Sequence, residues 1–335
     1  MRAGFSLAVL GVALVAPGAA LAQSAADCPA LKQVAQISML RTRDGQSWAP
    51  VMINGQVRLF KLDTGGVTSL YPETVNDLKL PTRAGTATVV DVKGNASSEL
   101  ARVDSFVLGQ LAFESRQNLI VLPSHNPRYA NDKRAGNLSL DILKAYDIEM
   151  DFGAGQMNLF STDHCAGRVV YWSADKVSEI PIRYDSQGKL RVTVKLDGVE
   201  LEAMLDTGAS TNVLNQSVGT GRLNLDLNAG DVRKMGRPDD PVYAKYFKTL
   251  ELAGLFVDNP FVTIMPDKIK AQQPKRMSAG GYIRLTDTDA RLPDLVIGST
   301  ILSKLHVYLA SKEKKLYVTS ASSGALPSGI PEARP

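Results

Sequence analysis

The chain has few of the residues that build metal or thiolate sites: among its 335 residues there are only three His and two Cys. The His residues (His125, His164 and His306) are scattered along the sequence, and two Cys are too few for a zinc site made of thiolates. A Ser-His-Asp triad is also disfavoured, because Ser210 is not part of a Gly-x-Ser-x-Gly motif. We therefore expect neither a metal nor any other cofactor.

Aromatic side chains and concentrated positive charge are scarce as well. Aromatics make up 6% of the chain, and the formal net charge is only +4, without a long basic run. Proteins that bind nucleic acids usually carry a basic stripe, so we expect no nucleic-acid partner. Hydrophobic residues at 44% and charged residues at 21% are typical of a soluble globular protein, and the length suffices for about two domains.

Only the first 22 residues contain a sustained apolar run. Arg2 gives a positive start, Phe5–Val15 is apolar, and Ala20-Leu21-Ala22 provides a small-x-small cleavage site before Gln23. This pattern predicts a secretory signal peptide over residues 1–22 and export to the periplasm or the cell exterior. The alternative is an uncleaved membrane anchor, but the run is short for a span, which needs about 20 residues. We expect no stable membrane insertion after cleavage.

The two cysteines, Cys28 and Cys165, both lie in the predicted mature chain. An exported protein meets an oxidising compartment, in which a single pair of cysteines usually forms a disulfide. The sequence therefore predicts a Cys28–Cys165 bond.

The mature sequence repeats itself. Val51–Gly55 is similar to Val194–Gly198, and each segment ends in a Gly suited to a tight hairpin turn. Eight residues after each Gly comes an Asp, Asp63 or Asp206, within the motif Leu-Asp-Thr-Gly. A single Asp-Thr-Gly is a weak signal, because Asp and Gly are common in turns, but two copies at the same offset indicate a duplicated unit.

The closing segments of the two halves match too. Leu138–Leu143 and Val296–Leu302 each predict a hydrophobic segment followed by a short helical turn, and two strands are expected after each. Most of the remaining sequence consists of short alternating segments separated by turn residues, which predicts mostly β lobes. The best candidate for a helix is Tyr71–Leu80, with Pro72 at its start.

From these features we predict four segments. They are the signal peptide (1–22), an N-terminal lobe (23–165), a C-terminal lobe (166–320) and a loose tail (321–335) rich in Ser, Gly and Pro.

If the two repeats pack about a pseudo-two-fold axis, Asp63 and Asp206 lie side by side. Two adjacent carboxyl groups cannot both ionise easily, so one keeps a proton. The ionised member can activate a water molecule, and the protonated member can donate a hydrogen bond to a scissile carbonyl. We expect Asp141, a third acid near these segments, to be structural and to cap a short helix from Ile142.

The residues that follow each Asp have predicted supporting roles. The Thr side chains can form hydrogen bonds across the axis and lock the two loops together, and the Gly residues allow backbone N–H groups to approach the carboxylates. These catalytic-loop residues are Thr64, Gly65, Thr207 and Gly208.

Together these motifs resemble the pepsin/retropepsin superfamily of aspartic proteases. The resemblance extends over residues 48–318 and depends on the two Leu-Asp-Thr-Gly motifs, with support from Val296-Ile297-Gly298. It implies a mostly β, bilobal, pepsin-like acid-protease fold with two pseudo-symmetric lobes and the active site between them. The chain is similar to a bacterial, exported member with two retropepsin-like halves in tandem.

Three positions depart from the family pattern. Gly66 replaces the usual Ser, Thr or Ala, which we expect to cost a hydrogen bond to the catalytic carboxylate. Ser139 stands where the first half should carry Gly, and no Tyr occurs between Gly85 and Ser105, where the resemblance places the first flap.

Two functions remain compatible with the sequence. The first is an aspartic endopeptidase, expected to be a monomer that cleaves peptide or protein substrates. The alternative is a non-catalytic peptide-binding or scaffold protein that retains the protease fold. Retention of both Asp63 and Asp206 favours the endopeptidase.

Overall fold

The computed structural model describes residues 28–42, 45–90, 95–113, 116–123, 133–173, 177–186, 188–237, 240–266 and 293–321. The predicted signal peptide lies outside the described residues, as does the tail after Ala321. Within these segments no helix is both long enough and apolar enough to cross a membrane.

The first half of the chain, from β1 to β13 (residues 33–161), contains thirteen strands and two short helices within the described residues. They are β1 (Gln33–Ser38), β2 (Leu40–Arg41), β3 (Ser47–Ile53), β4 (Gln56–Leu62), β5 (Ser69–Leu70), α1 (Pro72–Asp77), β6 (Thr82–Val90), β7 (Ala96–Val103), β8 (Phe106–Leu108), β9 (Leu111–Phe113), β10 (Gln117–Val121), β11 (Arg134–Leu138), α2 (Leu140–Leu143), β12 (Tyr146–Asp151) and β13 (Gln156–Ser161).

The second half repeats this series of elements in the described part of the chain. They are β14 (Ser178–Pro181), β15 (Arg183–Tyr184), β16 (Leu190–Leu196), β17 (Val199–Leu205), β18 (Asn212–Asn215), α3 (Gln216–Arg222), β19 (Arg233–Arg237), β20 (Asp240–Tyr246), β21 (Thr249–Leu252), β22 (Leu255–Asp258), β23 (Phe261–Met265), β24 (Leu295–Ile297), α4 (Ser299–Leu302), β25 (Leu305–Ala310) and β26 (Lys315–Ser320).

Each half forms its own ten-stranded sheet, and the two sheets have the same strand order. The first runs β6-β7-β10-β5-β11-β4-β3-β8-β9, with β2 paired to β3. The second runs β19-β20-β23-β18-β24-β17-β16-β21-β22, with β15 paired to β16. The repeat seen in the sequence is therefore a structural repeat, and the predicted mostly β, two-lobed fold is confirmed. The predicted domain boundaries stay a prediction.

A third sheet joins the halves. Its order is β1-β13-β12-β25-β26-β14, so the closing strands of both halves lie side by side, with β12 antiparallel to β25. The closing hairpins were predicted, but their pairing with one another was not. Every residue of β25 is buried, because both faces of this strand are covered.

The shared sheet buries two of the three His residues beside carboxylates. His164 Nε2 lies 2.6 Å from Asp147 Oδ2, and His306 Nε2 lies 2.8 Å from Glu149 Oε1. Buried polar side chains are tolerated when they are hydrogen-bonded. Asp147, Glu149 and His306 belong to strands of the shared sheet, whereas His164 follows β13. His125 lies outside the described residues.

The predicted hairpin turns are present in both halves. Asn54 and Gly55 have φ values of 48° and 78°, and Asp197 and Gly198 have values of 48° and 82°. Positive φ at both central residues defines the type I′ turn, whose twist matches that of the flanking strands. The turns fix the register of β3 with β4 and of β16 with β17, and each hairpin ends at a Leu-Asp-Thr-Gly motif.

Two further predictions can be compared with the structure. The predicted helix at Tyr71–Leu80 is present but shorter, because α1 ends at Asp77 and Lys79 has a φ of 49° that is incompatible with a continuing helix. The Cys28–Cys165 disulfide is confirmed, with 5.2 Å between the two Cα atoms.

Candidate active site

Each Asp of the pair follows a strand that has a parallel neighbour. Asp63 follows β4, and its backbone N–H donates to the carbonyl of Leu138 at 2.9 Å, where the parallel strand β11 ends. Asp206 follows β17, and its N–H donates to the carbonyl of Ile297 at 2.9 Å, at the end of β24. Both Asp residues thus start loops that are anchored in the same way to their own lobes.

The two loops are locked to each other by Thr64 and Thr207. Each backbone N–H donates to the Oγ1 of the other Thr at 3.1 Å. Thr64 Oγ1 donates to the Leu205 carbonyl at 2.7 Å, and Thr207 Oγ1 donates to the Leu62 carbonyl at 2.8 Å. Both Thr residues are buried, so water does not compete for these four hydrogen bonds.

Gly65 and Gly208 lie against the carboxyl group of the opposite half. A Cβ added to Gly65 would stand 2.4 Å from Asp206 Cγ, and one added to Gly208 would stand 2.5 Å from Asp63 Cγ. Only glycine fits at these two positions. Each glycine therefore lets its loop approach the carboxyl group of the opposite half, and the charge of Asp63 raises the pKa of Asp206.

The electrostatics of the pair favour the retention of one proton. Burial raises the pKa of Asp206 to about 6, and the charge of Asp63 acts in the same direction. The Gly208 N–H, which donates to Asp206 Oδ1 at 2.8 Å, and the charge of Lys61 lower this pKa, but by less. Asp206 is therefore suited to carry a proton at mildly acidic pH.

Comparison with known proteins agrees with this geometry. A model of the aspartyl protease family matches residues 49–142 and 192–301, which together make up more than half of the chain. The chain belongs to the aspartyl protease family. Each matched region contains one Asp-Thr-Gly, so the two halves of this aspartyl protease are retropepsin-like units in tandem. A search of curated proteins finds no match.

Sequence reasoning missed several polar side chains that contact the loops of this aspartyl protease. Asn137 Nδ2 donates to Asp63 Oδ2 at 2.7 Å. Lys61 Nζ lies 4.0 Å from the same carboxylate oxygen and donates to the Gly208 carbonyl at 3.4 Å. Lys189 Nζ donates to the Gly66 carbonyl.

A comparison of the two repeats could have found two of these residues. Lys61 stands two residues before its Asp, where the second half has Met204. Asn137 is the residue before Leu138, where the second half has Val296 before Ile297. A charged or amide side chain in place of an apolar one, close to a catalytic motif, indicates a local polar partner.

Ser139 does not disturb the first half. Its backbone is extended, with φ −121° and ψ 175°, and its Oγ donates to the Gly66 carbonyl at 2.9 Å. At the equivalent position, Gly298 cannot be replaced by a residue with a side chain, because an added Cβ would stand 2.2 Å from the Thr211 carbonyl oxygen. The requirement for glycine therefore exists only in the second half.

Asp141 is structural, but it is not the helix cap that the sequence suggested. The helix begins at Leu140, with Ser139 at the N-cap position, so Asp141 lies within the first turn. Its carboxylate accepts hydrogen bonds from the N–H of Ile142 at 2.9 Å and from the Oγ1 of Thr68 at 2.5 Å. Asp141 thus ties helix α2 to the loop that follows Asp63.

The hairpin β6–β7 occupies the position of the first flap and carries no Tyr. The equivalent hairpin of the second half, β19–β20, carries Tyr243 and Tyr246. Among the described residues, no group of three His, Cys, Asp or Glu side chains is arranged to hold a metal ion.

Proposed function

We propose that this aspartyl protease is an endopeptidase that hydrolyses peptide bonds with a water molecule activated by Asp63 and Asp206. Membership of the family supports protease activity in general. The observation that supports the finer proposal is the placement of Asp63 and Asp206 on two loops that are locked together by Thr64 and Thr207, with each carboxyl group against the glycine of the opposite loop.

In the proposed mechanism the pair shares one proton. The ionised carboxylate removes a proton from the water molecule while the protonated carboxyl donates a hydrogen bond to the scissile carbonyl. Attack of the water gives a tetrahedral intermediate, and a proton passes from the pair to the leaving amine as the C–N bond breaks. Because the proton belongs to the pair, both Asp residues are needed in every step.

The proposed substrates are peptides or proteins that bind between the lobes. One chain supplies both Asp-Thr-Gly loops, so a monomer can assemble the pair. Export to the periplasm or the cell exterior remains a proposal, supported by the N-terminal sequence. It predicts that protein isolated from the native host begins at Gln23, which N-terminal sequencing would test.

The test of the activity compares Asp63→Asn, Asp206→Asn and the double variant with the wild type on a mixed peptide library. Each single change should lower cleavage by about three orders of magnitude or more, and the double variant should be little worse. Asp231→Asn, at an exposed acid, is the matched control and should leave activity unchanged. Near-normal activity of either single variant, with circular dichroism showing an intact fold, would refute the mechanism.

A further inference from the structure

We propose that Asn137 is a positioning residue that holds the Asp63 carboxylate in place of the side chain missing at Gly66, with Tyr71 fixing the orientation of the Asn137 amide. This inference rests on the proposed function, because its consequence for activity requires that Asp63 be catalytic.

The contacts support a defined orientation of the amide. Asn137 Nδ2 donates to Asp63 Oδ2 at 2.7 Å, and the Tyr71 hydroxyl donates to Asn137 Oδ1 at 3.2 Å. All three residues are buried. A hydrogen bond to a carboxylate is stronger than one between neutral groups, and burial keeps water from replacing it.

The space around Gly66 explains why the donor comes from elsewhere in the chain. A Cβ at Gly66 would stand 2.6 Å from Asp63 Oδ2 and 2.7 Å from Asp63 Cγ. The carboxyl group of Asp63 thus occupies the volume that a side chain at position 66 would need. The hydrogen bond that the family pattern assigns to that side chain is supplied by Asn137 instead.

The second half provides the comparison. Ala209 occupies the position of Gly66, and both residues donate their N–H to the carbonyl of their own catalytic Asp at 3.2 Å. Val296 occupies the position of Asn137 and cannot donate a hydrogen bond from its side chain. Neither Ala209 nor Val296 can donate a hydrogen bond from its side chain, so of these two pairs of positions only the first half, through Asn137, supplies a side-chain donor to its catalytic Asp.

The hydrogen bond from Asn137 also affects how the negative charge is shared between the two carboxyl groups. A hydrogen bond donated to a carboxylate stabilises its ionised form. Asn137 donates from the side of the first half, while Asp206 receives the Gly208 N–H. We infer that Asn137 biases the negative charge of the pair toward Asp63.

The main test is Asn137→Val, which copies the second half. We expect kcat to fall about 10- to 100-fold with little change in KM, and the acidic limb of the kcat/KM profile to move upward by about one pH unit. The matched control is Asn158→Val, since the Asn158 amide also donates to a buried carboxylate, Glu149, at 2.6 Å but lies in the shared sheet. Asn158→Val should lower the stability of the folded protein without shifting the acidic limb of the kcat/KM profile.

A second variant keeps the test decisive. Tyr71→Phe leaves Asn137 in place and should shift the acidic limb in the same direction by a smaller amount. Acidic limbs at the same pH in the wild type, Asn137→Val and Tyr71→Phe would overturn the proposal.

A readout independent of turnover separates this inference from the proposed function. In protein labelled with carbon-13 at the Asp carboxyl groups, the resonance lost in Asp63→Asn identifies Asp63. Its titration midpoint should rise in folded Asn137→Val and stay constant in Asn158→Val. If the midpoint rises but the wild type cleaves no peptide, the proposed function fails and the positioning role stands. An unchanged midpoint refutes the positioning role whatever the activity.

Discussion

Lys61 places a positive charge beside the carboxyl pair, and its replacement by Met should move the pH range of activity upward. Met is the residue that the second half carries at the equivalent position, Met204, so the change is tolerated in a similar strand. The charge of Lys61 lowers the pKa of Asp206, which burial raises to about 6. Its removal therefore raises that pKa and lets the pair keep its last proton to higher pH.

The separation of the charges sets the size of the shift. Lys61 Nζ lies 4.0 Å from Asp63 Oδ2, and these side chains are 18% and 12% exposed. Two unit charges about 4 Å apart interact by about 1 kcal/mol in water and about 4 kcal/mol at an effective dielectric constant of about 20. Because one pKa unit corresponds to about 1.4 kcal/mol, these limits bracket a shift of about 0.7 to 3 units. We expect about one unit, near the lower limit, because both side chains keep partial contact with solvent, which screens their charges.

The assay is the pH dependence of kcat/KM for one peptide substrate at constant ionic strength. Lys61→Met should shift the alkaline limb upward by about one pH unit, and the shift should shrink in high salt. Lys144→Met removes an exposed lysine and is the control, which should leave the profile in place. A downward shift, or an alkaline limb identical to that of the wild type, would refute the electrostatic role of Lys61.

Three other predictions concern stability. Thr64→Val leaves two buried backbone groups without partners and should lower the free energy of unfolding by about 2–4 kcal/mol in urea denaturation, whereas the exposed control Thr220→Val should change it little. Burial opposes ionisation of Glu149, but hydrogen bonds from His, Asn and Tyr side chains prevail and lower its pKa below 4.5. The stabilising contribution of ionised Glu149 is therefore present above about pH 4.5 and is lost as the pH falls below that value. Glu149→Gln should destabilise the protein by about 2–4 kcal/mol at pH 7 and weaken the pH dependence of its stability in acid. Equal urea midpoints for the variant and the wild type at pH 7 would contradict this. Replacing Cys28 and Cys165 by Ser opens a loop of 137 residues and should lower the unfolding free energy by up to about 4–5 kcal/mol, and an unchanged thermal midpoint would contradict this.

Local signals explain which parts of the fold the sequence predicted. The type I′ turns at Asn54-Gly55 and Asp197-Gly198 are determined by residues that tolerate positive φ, so the hairpins before each Asp could be recognised from a few residues. The duplicated Leu-Asp-Thr-Gly then indicated that both hairpins end in equivalent loops. Repetition provided the long-range information that a single motif lacks.

The shared sheet and its buried pairs could not be predicted in this way. The pairing of β12 with β25 joins strands from opposite halves, and the sequence of each strand is compatible with several neighbours. The partners His306 and Glu149 are 157 positions apart, and the local sequence around either residue does not indicate which residue it contacts. Such contacts are set by the packing of the two lobes rather than by local propensity.

The differences between the repeats carry the most specific information about the site. A symmetric arrangement would give the two carboxyl groups identical surroundings, yet a shared proton must rest on one of them at a time. In this chain the first half alone contributes an amide donor, Asn137, and a cation, Lys61, where the second half has apolar side chains. Both groups lie beside the Asp63 carboxylate, whereas burial raises the pKa of Asp206. The departures from symmetry therefore lie where the proposed chemistry needs the two carboxyl groups to differ.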